Sequence, residues 1–346
     1  MIAASGIASC EICVPNRLTV AALQSFRKSR WRQRPPLGQT RFTLPAIEPI
    51  SVSVYRGGTR ESLHRVHAAA VRDGEVVSAR GDPGLVTFFR SSAKPLQALP
   101  LARAREDLDT RDLAIASASH RASEEQLDAV RRLLAKAPAE EDELEVGLQE
   151  GRPQTKLHHN CSGKHAGMLA LCRARSWDTR GYRLAGHPVQ DACLAVHADA
   201  AGAGADELPT AVDGCGVVTY ALPLERMAYA YSRLEQLDCG QRVADAMRAH
   251  PELVGGPGSA DTELMRALSG WIAKGGAEGL LCAAGPDGTG VALKAADGAW
   301  RAIAPAAAQF LGRLGLEIDA LRAVPVENSR HEVVGEISVD RPRNDV

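Results

Sequence analysis

Residues 50–90, which read ISVSVYRGGTRESLHRVHAAAVRDGEVVSARGDPGLVTFFR, decide the predicted fold. Regular apolar runs in this stretch predict four strands, over Ile50–Tyr55, Leu63–Val71, Val76–Ala79 and Val86–Arg90. Asp73-Gly74 separates the second run from the third and is typical of a tight hairpin turn. Strands joined by such turns pair in antiparallel fashion, so the stretch indicates an antiparallel sheet.

The pattern becomes helical further along the chain. Ser123-Glu124-Glu125-Gln126 is a capping box that opens an apolar helix face over Leu127–Ala137. More helices are predicted over Ser162–Arg173, Pro188–Ala201, Leu222–Leu237, Thr262–Lys274 and Ala304–Leu314, the last of them ahead of a tail containing Pro and Arg. Two late strands, Gly279–Ala284 and Gly290–Ala295, flank the turn Pro286-Asp287-Gly288. Strands, a helical middle and further strands favour the α+β class, with helices packed on an antiparallel sheet.

Composition restricts the classes of function. The 346 residues carry 41 Lys and Arg against 42 Asp and Glu, so a net charge of -1 offers no basic field for nucleic acid. Aromatic residues make up 4%, which speaks against base-stacking surfaces, and no apolar run approaches the roughly 20 residues of a membrane span. Eight scattered cysteines do not form a disulfide scaffold, and no secretory signal is evident. We therefore expect a cytoplasmic protein with no nucleic-acid or membrane partner.

The first 46 residues differ from the rest of the chain. Their basic residues face a single acid, Glu11, and include Arg17, Arg27, Lys28, Arg30, Arg32, Arg34 and Arg41. We expect residues 1–46 to be a poorly ordered basic extension and residues 47–346 to be the catalytic domain. A start codon assigned too early and an Arg-rich transit peptide are the alternative explanations.

Two motifs place a hydroxyl group where a nucleophile is needed. In Ser91-Ser92-Ala93-Lys94 the serine and lysine three residues apart share a helix face, and a lysine with a lowered pKa can accept a proton from a serine. Ser119-His120 follows an apolar stretch and presents a second hydroxyl at the end of a buried element. Taken alone, the first motif is also explained by a capping serine and a solvated lysine. The histidine of the second motif is also explained as a structural residue.

Two cysteines stand at glycine-rich positions. Cys161 precedes Ser162-Gly163-Lys164, and Cys215 lies in Asp213-Gly214-Cys215-Gly216. Two thiolates with a third nitrogen or oxygen ligand suit a tetrahedral zinc site that keeps one open position. Two buried thiols at glycine-rich turns explain the same spacing without a metal.

Several blocks occur in the order found in one family. They are Tyr55–Gly58 (YRGG), Arg90–Pro100 (RSSAKPLQALP), Ala118–His120 (ASH), Asn160–Leu169 (NCSGKHAGML), Asp213–Gly216 (DGCG), His250–Gly256 (HPELVGG), Asp261–Met265 (DTELM) and Lys274–Gly279 (KGGAEG). Over about residues 50–338 the chain resembles the Rhizobium-type, thermolabile L-asparaginases, also called class 3 or asparaginase II. The resemblance implies a serine-β-lactamase-like fold, a homodimer, and hydrolysis of L-asparagine to L-aspartate and ammonia.

The resemblance also implies a role for each matching residue. Ser91 matches the nucleophile with Lys94 as its partner, and Ser119 matches the serine of a second pair. Lys274 is our choice for the second lysine, and Lys294 is the weaker choice. Cys161, Lys164 and Cys215 match a zinc site, with Asp213 beside it. Asp213 and His120 are the expected substrate-binding residues.

The chain departs from the family pattern at positions next to some of these matching residues. Where the family commonly has Ser-His-Asn/Ser-Gly-Glu, this sequence has Arg121 and Ala122 after Ser119-His120, and the acid is displaced to Glu124. The arginine common before the Asp-Thr pair is absent, because Ser259-Ala260 stands there. The alternative functions are a penicillin-recognising serine acyl transferase and a catalytically degenerate zinc-binding homologue.

Overall fold

The computed structural model describes residues 47–340, so the predicted basic extension over residues 1–46 lies outside the described residues. Eleven strands occur in the described part of the chain. They are β1 (Ile50–Arg56), β2 (Thr59–Arg72), β3 (Glu75–Arg80), β4 (Val86–Phe88), β5 (Thr210–Val212), β6 (Val218–Pro223), β7 (Ile272–Gly276), β8 (Leu280–Ala284), β9 (Gly290–Ala295), β10 (Ala323–Glu327) and β11 (Val333–Val339).

An antiparallel sheet of eight strands joins the two ends of the described chain. Its order is β10-β11-β1-β2-β9-β8-β7, and β3 pairs with the end of β2. The register places Val66 opposite Ile50 on one side and opposite Ala295 on the other. The hairpin turns predicted at Asp73-Gly74 and Pro286-Asp287-Gly288 connect β2 to β3 and β8 to β9, as expected.

A second, three-stranded sheet has the order β4-β6-β5. The strand predicted over Val86–Arg90 is shorter than expected, because the backbone leaves the extended region after Phe88 and enters a 3₁₀ turn over Arg90–Ala93. Arg90 takes a φ of 46°, a left-handed conformation that cannot continue a strand.

Twelve α-helices complete the described part of the fold. They are α1 (Lys94–Gln97), α2 (Leu99–Ala104), α3 (Thr110–Ala116), α4 (Glu124–Lys136), α5 (Ser162–Arg175), α6 (Pro188–Ala201), α7 (Leu224–Ser232), α8 (Gly240–Ala249), α9 (Pro251–Val254), α10 (Ala260–Ala267), α11 (Ile303–Gly312) and α12 (Asp319–Arg322). The predicted capping box is confirmed: the Ser123 hydroxyl accepts the Gln126 N–H, and the Gln126 side chain accepts the Ser123 N–H at 3.1 Å.

Two predicted elements need correction, and one hairpin was not predicted. The segment Leu222–Leu237 begins as the end of β6 and becomes helical only at Leu224, after Pro223. The helix predicted over Thr262–Lys274 ends at Ala267, since Gly270 turns the chain with a φ of 79° and the following residues pair with β8. The C-terminal tail, for which no element was predicted, contains β10 and β11, a hairpin that adds to β1.

The helices cover the main sheet and bury its strands. α7 packs against β2, β8 and β9, while α11 packs against β1, β9 and β11. Strands β7, β8 and β9 are buried along their whole length, and burial of each large apolar side chain contributes about 1.5–3 kcal/mol. The α+β class predicted from the sequence is confirmed. Within residues 47–340, no helix has both the length and the apolar character to cross a membrane.

Candidate active site

One cavity of about 230 Å³ lies where the turn after β4, the end of α3 and strand β7 meet. This volume is below the roughly 300–1,000 Å³ of pockets for drug-sized ligands, and it suits a molecule the size of a single amino acid. The polar residues that line it include Ser91, Ser119, Arg121, Ser259, Asp261 and Lys274. Three of the four predicted catalytic residues therefore reach the same space.

Ser91 lies on a turn that is fixed from two sides. The neighbouring Ser92 is fully buried, and its hydroxyl donates a 2.8 Å hydrogen bond to the Lys274 carbonyl oxygen on β7. The Tyr231 hydroxyl of α7 donates to the Ser92 carbonyl oxygen at 2.7 Å. These bonds hold the Ser91 backbone against the strand that carries Lys274.

Lys94 is fully buried at the start of α1, beneath the cavity. Its Nζ atom donates to the Ala118 carbonyl oxygen and lies 3.0 Å from the Ser119 Oγ atom. Burial lowers the pKa of this amine. Within the described chain no hydrogen bond joins Lys94 to Ser91, and the serine that bonds to Lys94 is Ser119.

Lys274 projects from β7 into the cavity and is 1% exposed. Its Nζ atom donates to the Gly275 carbonyl oxygen at 2.7 Å and lies 3.4 Å from the Asp261 Oδ2 atom. Burial lowers the pKa of Lys274 to about 8, although the Asp261 carboxylate opposes this effect. The described residues contain no hydrogen bond between Lys274 and Ser119, the pair expected from the sequence.

Lys294, the weaker choice for the second lysine, does not line this cavity. It lies on β9 and donates to the Ala295 carbonyl oxygen, with Glu278 and Asp297 as its acidic neighbours. The structure therefore favours Lys274 over Lys294.

Asp261 is a buried carboxylate that organises one wall of the cavity. It accepts hydrogen bonds from the Ser259 hydroxyl at 2.6 Å, the Gly275 N–H at 2.9 Å and the Thr262 N–H at 3.1 Å. These donors and the Lys274 ammonium group keep the pKa of Asp261 below its usual value, although burial opposes them. The carboxylate is therefore fixed in place beside the Lys274 amine.

The two residues expected to bind substrate, His120 and Asp213, are not among the residues that line the cavity. His120 is fully buried, and its Nδ1 atom accepts the Ala122 N–H while its Nε2 atom lies 2.7 Å from the Ser162 hydroxyl. Burial lowers the pKa of His120 to about 3, so the ring is neutral and joins two loops. Asp213 pairs with Arg90, whose Nε atom lies 2.6 Å from Asp213 Oδ1.

The predicted metal ligands come together below Lys94. The Lys164 Nζ atom lies 3.0 Å from the Cys215 Sγ atom, and the buried Cys161 thiol lies beside both Cys215 and the Lys94 amine. Lys164 and the Cys161 thiol lower the pKa of the Cys215 thiol. His165 is also buried here, and its Nδ1 atom lies 2.7 Å from the Tyr182 hydroxyl.

This cluster fits a zinc ion in the chemistry of its donors. Two sulfur atoms and one amine converge in a buried place, and thiolate ligands are the ones that zinc prefers among soft donors. Residues 47–340 hold no group of three or more His, Cys, Asp and Glu side chains arranged for a metal, so a zinc site here depends on Lys164 as a ligand.

A comparison with known protein families finds a match over most of the chain. A family described as L-asparaginase II matches residues 52–339, which is most of the chain. The chain belongs to the L-asparaginase II family. Family membership makes it an amidohydrolase that acts on asparagine, and it indicates hydrolysis of L-asparagine. No curated protein matches the sequence.

Two of the departures from the family pattern line the cavity, at Arg121 and Ser259. This chain therefore has a guanidinium group where the pattern has a small polar residue, and a serine close to where the pattern has an arginine. Ala122 takes a φ of 62° where the family pattern has glycine, and Ser123 caps α4 in place of the glutamate.

The sequence did not reveal two residues that shape this asparaginase-family site, Ser92 and Trp300, because neither is one of the reactive residues of a motif that indicates catalysis. Ser92 was overlooked beside Ser91, although its hydroxyl fixes the turn. Trp300 covers Gly275, where an added Cβ atom would lie 2.4 Å from the indole ring, so this position requires glycine. The only sequence signal for Trp300 was its rarity, because the chain has four tryptophans.

Proposed function

We propose that the protein hydrolyses the side-chain amide of L-asparagine through an acyl-enzyme on Ser91. The observation that carries this proposal is the shared cavity, which is lined by Ser91, Ser119 and Lys274 and has the Lys94 amine beneath it. A serine that attacks an amide needs a group to take its proton and a group to protonate the departing nitrogen. The two buried lysines supply one of each.

Lys274 is the group that takes the proton from Ser91. Its pKa of about 8 leaves a useful fraction of neutral amine near neutral pH. The Ser92 bond to the Lys274 carbonyl oxygen keeps the Ser91 turn against the same strand. The Ser91 oxygen then forms a bond to the amide carbon while Lys274 becomes an ammonium group.

The pair of Lys94 and Ser119 supplies the proton that the leaving nitrogen needs. When the C–N bond breaks, the nitrogen takes the Ser119 proton and Ser119 takes one from Lys94, so ammonia departs. A water molecule then gives a proton back through Ser119 to Lys94, and its oxygen attacks the ester. The Ser91 oxygen recovers its proton from Lys274. Aspartate is released, and both lysines return to their starting states.

We also propose that Cys161, Lys164 and Cys215 hold a zinc ion. Zinc at this place would act as a Lewis acid close to the cavity and polarise groups that approach it. The steps above use only the side chains of the cavity and of Lys94. The donor set and its burial support this part of the proposal.

Further expectations from the family resemblance stay predictions. They are a serine-β-lactamase-like arrangement of the sheet and helices, a homodimer and a cytoplasmic location. The antiparallel sheet with a Ser-x-x-Lys turn at the start of a buried helix supports the first. Sedimentation of the purified protein tests the second.

Ammonia release by purified protein tests the main proposal, with Ser91→Ala and Ser119→Ala as the variants. We expect Ser91→Ala to lower kcat for L-asparagine by at least about 10³-fold with an unchanged melting temperature. A diazoketone analogue of asparagine should label Ser91, as read by peptide mass spectrometry. A label on Ser119 would reassign the nucleophile. Turnover of a chromogenic cephalosporin without ammonia release from L-asparagine would favour the acyl-transferase function instead.

A further inference from the structure

Three charged side chains line the cavity, and two of them neutralise each other. Lys274 and Asp261 form a buried ion pair, and each also bonds to the backbone of Gly275. Arg121 is the third, and within residues 47–340 no carboxylate lies within 4 Å of its guanidinium group. Arg121 is therefore the cation of the cavity lining that has no carboxylate beside it.

The Arg121 side chain is held in position although it is exposed. Its backbone N–H donates to the Gln126 side chain at 2.9 Å, and its Nη1 atom donates to the Pro257 carbonyl oxygen at 2.9 Å. Its stem lies over Gly256, where an added Cβ atom would be 3.1 Å from the Arg121 Cδ atom. Among the described residues, none accepts a hydrogen bond from the Nε or Nη2 atoms. The Nε and Nη2 atoms of the guanidinium group therefore keep N–H donors available for a ligand.

A fork with free donors matches a carboxylate, which it can bind through two parallel hydrogen bonds. Free L-asparagine has one carboxylate, on its α-carbon, and a charged partner is required for it. Lys274 is already neutralised by Asp261, and Lys94 is buried beneath Ser119. Arg121 is the remaining cation of the cavity.

We propose that Arg121 binds the α-carboxylate of the substrate and sets the requirement for a free carboxylate. This inference rests on the proposed function and names the group that the site selects. Asparagine within a peptide lacks this carboxylate, so the enzyme should discriminate against internal asparagine residues.

The test compares Arg121→Met with the parent enzyme on two substrates. One is L-asparagine, and the other is L-aspartic acid diamide, in which a neutral amide replaces the α-carboxylate. For Arg121→Met we expect KM for L-asparagine to rise about 10- to 100-fold, the range for a lost charge-assisted pair, with kcat within about threefold. For the diamide, formation of the α-amide of aspartate should be unchanged. Arg131→Met, on the exposed face of α4, is the matched control and should change neither substrate.

Arg121→Lys is the conservative variant. It keeps the positive charge but loses the paired donors of the guanidinium group, so KM for L-asparagine should rise less than in Arg121→Met. An equal loss on both substrates would show that Arg121 only supports the loop, and an unchanged KM for L-asparagine would also overturn the inference. Absence of ammonia release by the parent enzyme would instead refute the proposed function.

Discussion

The Nζ atom of Lys94 lies 3.0 Å from the Oγ atom of Ser119, a residue 25 positions later in the chain. The same amine donates to the carbonyl oxygen of Ala118, so its place under the cavity is fixed by two neighbouring residues. The lysine of the Ser-x-x-Lys motif thus bonds to the second serine. In the mechanism proposed above, this arrangement would separate the group that protonates the leaving nitrogen from the group that activates Ser91.

Replacement of Lys94 should affect the departure of ammonia more than the attack. For Lys94→Met we expect kcat for L-asparagine to fall by about 10²- to 10⁴-fold, the contribution typical of general acid catalysis. L-Aspartic acid β-hydroxamate has a better leaving group and should lose at least tenfold less. The two rates, measured by product formation, decide the role. Equal losses on both substrates would contradict it.

Lys274 and Lys294 form a matched pair of buried lysines on strands of the same sheet. Lys274→Met should nearly abolish ammonia release, because the proton acceptor for Ser91 is removed. Lys294→Met should keep at least about half of the activity, since Lys294 does not line the cavity. Steady-state ammonia assays on both variants provide the comparison. A reversed order would make Lys294 the catalytic lysine.

Activity should rise with pH through the titration of Lys274. Its pKa of about 8 lies below the usual value of about 10.4, and only the neutral amine accepts a proton. The charged or titratable groups around it are Asp261, Lys94, Cys161 and Cys282. We therefore expect kcat/KM to increase from pH 6 to 9, with a midpoint that belongs to the coupled groups. A flat profile over this range would contradict the proposed acceptor.

Asp261→Asn should shift this profile in a defined direction. The carboxylate stabilises the Lys274 ammonium group and raises its pKa, so its removal should lower the pKa and move the midpoint to more acidic pH. A merely structural role would lower the rate without moving the midpoint. The melting temperature of the variant, measured beside the pH profile, separates loss of folding from this effect.

Zinc content should depend on the cysteines of the cluster. Cys161→Ser and Cys215→Ser should each reduce the zinc bound per chain by at least about tenfold after dialysis, because a thiolate ligand is lost. Cys239→Ser, at the partly exposed cysteine that directly precedes α8, is the control and should retain zinc. Elemental analysis gives the stoichiometry. Zinc-free parent protein after zinc supplementation would leave two buried thiols as the explanation.

Ala122 should limit the stability of the protein. Its φ of 62° costs a residue with a Cβ atom about 1–2 kcal/mol, and glycine removes most of this strain. After the greater entropy loss of glycine, Ala122→Gly should still raise the free energy of unfolding by about 0.5–1 kcal/mol. Ala195→Gly, on an exposed helical position of α6, should lower it by about 1 kcal/mol. Urea denaturation measures both, and a decrease for Ala122→Gly would show that the neighbouring chain tolerates alanine.

Sequence patterns predicted the elements whose signals are local. The capping box at Ser123 and the turn at Asp73-Gly74 depend on residues within four positions of one another, so their geometry follows directly from the chain. The helix predicted through Thr262–Lys274 was wrong for the opposite reason. Its last part is a strand because β8 pairs with it, and that pairing outweighs a weak helical preference.

The sequence by itself determined which chemical groups the site contains, because the serines, lysines and cysteines stand in motifs whose order is specific to the L-asparaginase II family. Only the tertiary structure decided their partners. Lys94 bonds to Ser119 and Lys274 to Asp261, residues that are 25 and 13 positions apart. A hydrogen bond requires its two atoms within about 3 Å, and the packing of helices and strands sets that separation. Sequence spacing can place two side chains on one helix face, but it cannot show which other element lies against that face.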